Sequence, residues 1–436
     1  MKEVMVIGAG LAGSEAAWQL ARRGIKVKLY EMRPEVKSLA HHTDLPAELV
    51  CSNSFRASGL ANAAGLLKEE MRELNSLIMA AADANSLPAG RALAVDREAF
   101  SRDVKARLEA NKNIKIIREE VTEIPQDRPV VIATGPLTSD KMAEAIKELT
   151  GEDYLYFYDA AAPIVTAKSL NYDIIFKASR YDDGAGDYLN APMNEEEFFE
   201  FWDFLLRAEV SLPREFEENA YFEACLPIEV MAKRGRQTLL YGPLKPVGLK
   251  DPRTGKKPQA VVQLRQDNQE GTLYNLVGFQ TRLKWGEQDK LLKFIPGLED
   301  AEIVRHGVMH RNTYLNSPLF LRPTYQFKDN PNIFFAGQIT GVEGYIESTS
   351  SGLVAGINAA RLVNGEDGII FPEETAIGSL PNYITDEYKV DFKPMKINFG
   401  LLPDLDEEIK DKRTRNQRRS ELALKSLKEI KDRYNI

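Results

Sequence analysis

The chain has 436 residues, with 57 Lys and Arg against 65 Asp and Glu, a formal charge of −8, 43% hydrophobic and 28% charged residues. That is the composition of a globular protein and excludes a disordered, fibrous or uniformly basic nucleic-acid-coating chain. No apolar run reaches the roughly 18 residues of a membrane span, and the glycine-studded stretch at residues 4–12 does not read as a secretory segment, so no membrane partner and a cytoplasmic location are expected.

Residues 4–7 (VMVI) read as a short buried parallel strand. Gly8, Ala9, Gly10, Leu11, Ala12 and Gly13 follow at once and open a helical pattern over 14–23, which Gly24 stops. A second strand over 26–30 ends on Glu31, 23 residues after Gly8, where a dinucleotide-binding βαβ unit holds a ribose hydroxyl. In such a unit Gly8 permits the tight turn, Gly10 leaves room for a pyrophosphate, and Gly13 lets the helix lie close to the sheet. The helix N-terminus offers N–H groups and a positive dipole to the phosphates. A carboxylate at position 31 suits an adenosine without a 2′-phosphate, so FAD or NAD fits here and NADP does not.

Residues 129–135 (PVVIATG), ending on Thr134 and Gly135, look like the strand that glutathione-reductase-type flavoproteins place beside the adenosine half. Residues 332–338 (NIFFAGQ) are another buried strand pattern ending on Gly337 and Gln338, and they feed a helix over about 348–363 whose N-terminus would face a flavin oxygen. The expected fold class is α/β, a glutathione-reductase-like FAD-binding Rossmann domain with a large α+β insertion domain. The FAD-binding part is expected at 1–150 and 325–370, the insertion at 151–324 on the RNA and substrate side, and a C-terminal extension with a basic helix at 371–436. Within the insertion, 194–206 reads as an acidic amphipathic helix over a core; residues 406–434 read as a charge-rich helix. No second G-x-G-x-x-G is present, so a nicotinamide would bind transiently at the flavin face.

Basic charge is concentrated. Residues 231–265 carry nine Lys and Arg against one acid, Asp251, and residues 410–433 carry ten against four. The first run, with its interleaved aromatics and glycines, favours a phosphate-rich partner over a merely solvated loop. The two cysteines, Cys51 and Cys225, are too few for a thiolate-built zinc site or an iron–sulfur cluster. Of four histidines only His306 and His310 have helical spacing, with Gly307 between them, and no metal is expected. A lone cysteine is by default a small buried hydrophobe, but Cys51 follows Glu31 by twenty residues, in a region that passes near the flavin, and Cys225 precedes the basic run by six. Flavin-dependent disulfide reductases place their thiols close in sequence, and 174 residues separate these two.

Several segments together resemble the folate- and FAD-dependent tRNA uracil-5-methyltransferase family. They are Gly8 to Gly13; His41-His42-Thr43-Asp44 with Cys51-Ser52-Asn53-Ser54-Phe55; Cys225-Leu226-Pro227-Ile228-Glu229; residues 242–249 (GPLKPVGL); residues 263–268 (QLRQDN); residues 307–314 (GVMHRNTY); and residues 337–345 (GQITGVEGY). The last element is shared with flavin-dependent proteins that modify the tRNA wobble uridine, whereas the Cys225 and Lys245 segments favour the methyltransferase. The resemblance implies transfer of a one-carbon unit from 5,10-methylenetetrahydrofolate, with NADH or NADPH as reductant, to C5 of a T-loop uridine in tRNA, giving ribothymidine. Uracil C5 is a poor nucleophile until a thiolate adds to C6. Cys225 is assigned that role, and Cys51 is placed near the flavin as the C5 base or a proton-relaying thiol, with the two roles exchangeable. Lys233, Arg234, Arg236, Lys245 and Arg265 are the expected RNA contacts. The competing readings are an FAD oxidoreductase acting on a small molecule, a noncatalytic FAD-bound RNA-binding protein, and the same methylation on ribosomal RNA.

Overall fold

The computed structural model describes residues 2–38, 40–152, 155–180, 186–211, 226–389 and 392–436. Its first sheet has five parallel strands in the order Ile333–Phe335, Val130–Ile132, Glu3–Ile7, Lys26–Glu31 and Ile114–Arg118. The strands Val130–Ile132 and Ile333–Phe335 are apolar and buried throughout, as suits strands covered on both faces, while Lys26–Glu31 alternates, burying Val27 and Leu29. The chain leaves this sheet after residue 132 and returns to it only at 333, so the edge strand closest to the C-terminus pairs with one 200 residues earlier.

A second sheet of six antiparallel strands runs Phe176–Ala178, Tyr188–Met193, Ala260–Gln266, Leu273–Leu276, Ile164–Thr166, Ile303–Arg305. It has its own core, in which the helix Glu195–Arg207 buries Phe198, Phe201 and Leu205. Asn194 starts that helix with a capping box, its side chain accepting the N–H groups of Glu196 and Glu197 while Glu197 accepts that of Asn194. A ribbon of Leu155–Ala160 and Met309–Tyr314 joins the two halves. His306 therefore sits between two strands rather than on a helix with His310; it stacks on Trp285 at 5.1 Å and pairs with Asp289.

The helices Leu11–Arg22 and Tyr345–Asn364 pack backbone to backbone. A Cβ at Gly352 would lie 2.1 Å from the Ala12 carbonyl oxygen, and one at Gly356 would lie 2.8 Å from that of Ala16. On the other side of the first helix, a Cβ at Gly13 would lie 1.8 Å from the Gly8 oxygen. The second helix begins at Tyr345, three residues before the expected Ser348, because Gly344 at φ 116° makes the turn that no other residue adopts readily. The C-terminal helix begins at Lys412 rather than near 406, where the Asp411 side chain accepts the Thr414 N–H. It lays Ala423, Leu427 and Ile430 on the core of the parallel sheet. Among the described residues no helix is long and apolar enough to cross a membrane.

The close approach of the two helices predicts that Gly352→Val lowers stability by about 3 kcal/mol, the upper end for overpacking. Thermal unfolding measures it; a melting temperature equal to that of the parent protein would contradict the packing.

Candidate active site

Two cavities flank the paired helices. The first is lined by Gly10, Tyr30, Glu31, Arg33, Glu119, Glu120 and Thr134. Gly8 takes φ 96°, and no protein atom lies within 4 Å of where a Cβ on Gly10 would stand, so the space before the helix N-terminus is open. Ala9, Leu11 and Ala12 are buried around it, and the first N–H groups of the helix have no partner within the helix. Glu31 is at this cavity but already engaged: Oε2 accepts the Ala9 N–H at 3.0 Å, and Oε1 accepts the Arg33 N–H and Nε at 3.1 and 2.8 Å. Burial alone would raise its pKa, but the Arg33 hydrogen bonds and charge outweigh it and hold the carboxyl below its usual range. A carboxylate offers about four acceptor sites, so an ionised Glu31 keeps about one for a ribose. Thr134 bonds Thr138 Oγ1 at 2.7 Å and Gly135 turns the chain away at φ 70°.

The second cavity, about 250 Å³, lies at the N-terminal, positive end of the helix Tyr345–Asn364. Cys51, Ser52, Arg56, Asn312, Gln338 and Tyr345 line it. Gly337, at φ 87°, donates its N–H to Ser351 Oγ, and Gln338 Nε2 donates to Glu343. Asn312 is 1% exposed and its Oδ1 has no hydrogen-bond partner. A buried, unmatched carbonyl oxygen costs about 1–3 kcal/mol, and a ring N–H in the cavity would satisfy it. The glycine turn, the open space at Gly10, the two helix dipoles and this acceptor fit a flavin dinucleotide laid from the first cavity to the second.

The loop bearing Cys51 is held from all sides. Arg97 donates to the carbonyl oxygens of Leu49 (2.6 Å) and Cys51 (3.5 Å) and pairs with Asp267 at 2.9 Å. Arg305 donates to the Val50 oxygen at 2.8 Å. Arg265 donates to Asn53 Oδ1 at 2.7 Å and Ser52 Oγ at 2.9 Å. The Tyr345 hydroxyl accepts the N–H groups of Cys51 and Ser52 at 2.9 and 3.1 Å. Burial, then the charge of Cys51, push the Tyr345 phenol up, so it stays protonated. Arg97 and Arg265 both couple electrostatically to Cys51.

Arg265 is thereby a correction to the sequence reading: at 7% exposure it is no surface contact for RNA but a strut of the Cys51 loop. The strand is covered on both faces: Val262 and Leu264 point into the second core, and Arg265 points the other way, to Asn53 and Ser52. Lys233, Arg234 and Arg236 are exposed on or beside the short helices Ile228–Lys233 and Arg236–Tyr241, with Arg236 over the rings of Trp202 and Phe199 at 5.3 and 5.8 Å. Lys245 lines a separate cavity. Cys225 lies outside the described residues. Three positions further on, the Ile228 N–H donates to the oxygen of Gln280, and Gln280 lines the Cys51 cavity.

Sequence reasoning missed Arg97 and Arg305 altogether and gave no role to Tyr345 or Asn312. It also missed Lys68, fully buried on the helix Ala63–Glu73, whose Nζ donates to the carbonyl oxygens of Phe55, Arg56 and Ala57 at 2.8, 3.2 and 2.5 Å. It clamps the strand Ser54–Ala57, which carries Arg56 at φ 63° to its ion pair with Glu347. Burial, then the charges of Arg56 and Arg72, lower Lys68 to about 7. In sequence Lys68 precedes Glu69 and Glu70 and reads as a solvated charge; its carbonyl partners leave no signal there.

Comparison with known proteins agrees with this geometry. The family model described as glucose inhibited division protein A matches residues 3–367. The methylenetetrahydrofolate–tRNA-(uracil-5-)-methyltransferase TrmFO of Anoxybacillus flavithermus is 62% identical over 425 residues, 98% of each chain, and that of Bacillus subtilis is 62% identical over 427, again 98% of each. The chain belongs to the methylenetetrahydrofolate–tRNA-(uracil-5-)-methyltransferase family. In fold, this methyltransferase-family chain is similar to Aquifex aeolicus GidA in its form I crystal, with a TM-score of 0.69 at 18% identity, covering 98% of this chain and 76% of that one. Its architecture is the expected α/β, glutathione-reductase-like Rossmann fold with an α+β insertion.

Two predictions follow the geometry. Gly10→Ala leaves the melting temperature of the apoprotein within about 1 °C, since no protein atom lies within 4 Å of where its Cβ would stand, but abolishes flavin absorbance in the purified protein; retained flavin would contradict the cradle. Lys68 binds a proton less readily in the folded than in the unfolded chain, so its contribution to stability grows as pH rises from about 7 towards its ordinary 10.5. The urea midpoint of the parent protein minus that of Lys68→Met should therefore increase between those values, and a constant difference would contradict the assignment.

Proposed function

We propose that this chain uses bound FAD, 5,10-methylenetetrahydrofolate and NADH or NADPH to methylate C5 of a T-loop uridine in tRNA, giving ribothymidine. The observation that carries the proposal is the 250 Å³ cavity that places Cys51, Gln338, Tyr345 and the unmatched Asn312 oxygen at one helix N-terminus. The names of the 62% identical relatives support the substrate and donor. When bound, FAD supplies the relay for the carbon and the hydride that completes the methyl group.

Cys225 attacks: its sulfur forms a bond to C6 of the uracil, and the displaced electron pair gives C5 enolate character, so that C5 can accept the carbon. Cys51 then removes the C5 proton, and elimination of the Cys225 sulfur restores the ring. Arg97, Arg265 and Arg305 fix the backbone that presents Cys51, while Asn312 can accept an N–H from a bound ring. Lys233, Arg234 and Arg236 meet tRNA phosphates beside the anchored segment that follows Cys225. Residues 1–150 with 325–370 act as the FAD-binding domain, 151–324 as the substrate domain, which its own core at 162–298 supports, and 371–436 as an extension packed on the core of the FAD-binding part. A cytoplasmic location suits a chain whose substrates are tRNA and a reduced folate.

Incubating the protein with unmodified tRNA, labelled methylenetetrahydrofolate and NADPH should put label into ribothymidine, and flavin oxidation without label would instead mark a small-molecule oxidoreductase. Cys225→Ala should keep its flavin and lose more than a thousandfold of turnover, the scale expected on removing a covalent nucleophile. Near-normal turnover would contradict the role of Cys225.

A further inference from the structure

The loop that carries Cys51 also reaches the first cavity. Between Ala40 and Asn53 the chain forms neither helix nor strand, so its order depends on contacts to other segments. At the Cys51 end those contacts are the arginines and Tyr345 described above. At the other end they are made to the wall of the first cavity, which His41 lines. The Ala47 N–H donates at 2.8 Å to the oxygen of Ala9, inside the glycine turn. Ala47 is held at φ 53°, a left-handed conformation that alanine keeps only where its surroundings impose it. Glu48 gathers the rest of the loop. Its Oε1 accepts the His42 N–H at 2.8 Å, and its Oε2 accepts the Thr43 N–H at 3.1 Å, the Thr43 hydroxyl at 2.9 Å and Arg33 Nη1 at 3.0 Å.

Arg33 joins this anchor to the dinucleotide site. It is 2% exposed and lines the first cavity, its Nε donates to Glu31 Oε1 at 2.8 Å, and its Nη1 also donates to the Thr43 oxygen at 3.3 Å. The acid placed for the ribose and the acid three residues before Cys51 therefore share one guanidinium. The planar fork permits this double engagement, where a lysine would offer a single point. A parallel link runs through the Ala9 peptide, which donates to Glu31 on one side and accepts from Ala47 on the other. A ribose hydroxyl at Glu31 and a pyrophosphate at the glycine turn would thus restrain the two groups from which the loop hangs. Glu48 itself lines neither the first cavity nor the Cys51 cavity.

We propose that Arg33 is a positioning residue for the transfer reaction: through Glu48 it couples occupation of the adenosine cavity to the order of residues 40–51, so that a bound dinucleotide fixes the loop that presents Cys51. This rests on the flavin-dependent reading of the site.

The test uses the full chain with Cys225→Ala, which leaves Cys51 as its one thiol, freed of flavin and titrated with ADP in a calorimeter. ADP carries the ribose and the pyrophosphate but no ring for the second cavity, so it does not itself cover Cys51. Saturating ADP should slow alkylation of Cys51 by iodoacetamide about fivefold, the lower end of typical couplings between sites, and slow hydrogen exchange over residues 41–50. In the same background Glu48→Gln should show a response to ADP below about twofold. Because coupling is reciprocal, it should also bind ADP about fivefold more weakly. Alkylation and exchange that ignore saturating ADP in the protein with Glu48 intact would overturn the proposal, whatever the variant does. So would a Glu48→Gln protein that keeps the full response to ADP and an unchanged ADP affinity, since that marks a static brace. If ADP does not bind the flavin-free chain, the adenosine assignment of the first cavity fails with the proposal, a result read from the titration before any thiol is measured.

Discussion

The constraint on which the molecule depends is the contact between the helices Leu11–Arg22 and Tyr345–Asn364, which is closer than any residue with a side chain permits. Gly352 and Gly356 on one meet Ala12 and Ala16 on the other, and Gly13 brings the first helix onto the turn at Gly8. Residues more than 300 positions apart in sequence are thereby fixed so that each helix N-terminus opens onto one of the two flanking cavities. An isolated helix dipole contributes only some tenths of a kcal/mol to 1 kcal/mol at an exposed end. Two such ends held on a packed core can act on both the phosphates and the ring of a single cofactor.

A second layer of organisation positions the chemistry. The Cys51 loop has little regular structure of its own, so its backbone groups find partners in Arg97, Arg265, Arg305 and Tyr345. Burying three guanidinium groups is costly unless their donors are used, and here each serves carbonyls or side-chain oxygens of the loop. The planar, multi-donor fork of arginine makes this possible where lysine would offer a single point. The same positive charge acts on the sulfur at the centre.

How much of this could be read in advance differs by element. The βαβ unit was legible because Gly8, Gly10, Gly13 and Glu31 each answer a local demand, and the strand at 130–132 and the return at 333–335 were legible as apolar runs ending on glycine. The helix start at Tyr345 was missed because Gly344 acts as a turn, which only its positive φ reveals. Arg265 looked like one cation of a basic run, and only strand register shows that it turns inward. Arg97, Arg305 and Lys68 were invisible because their partners include backbone carbonyls of other segments, which no residue pattern marks. Sequence patterns carry periodicity and local turns; they do not carry which carbonyls a fold leaves unmatched.

Flavin, folate and uridine converge, on this account, at the cavity beside Cys51, with the sulfur of residue 225 reaching the uracil from the segment that Ile228 anchors at Gln280. The most direct measurement is to incubate the complete system with tRNA carrying 5-fluorouridine at the target position, which blocks proton loss at C5, and to map the trapped adduct by mass spectrometry. A covalent link between uracil C6 and the peptide containing Cys225, formed only when folate and reductant are present or more rapidly then, is the result the account predicts. A link to the Cys51 peptide, with Cys225 unmodified, would contradict it.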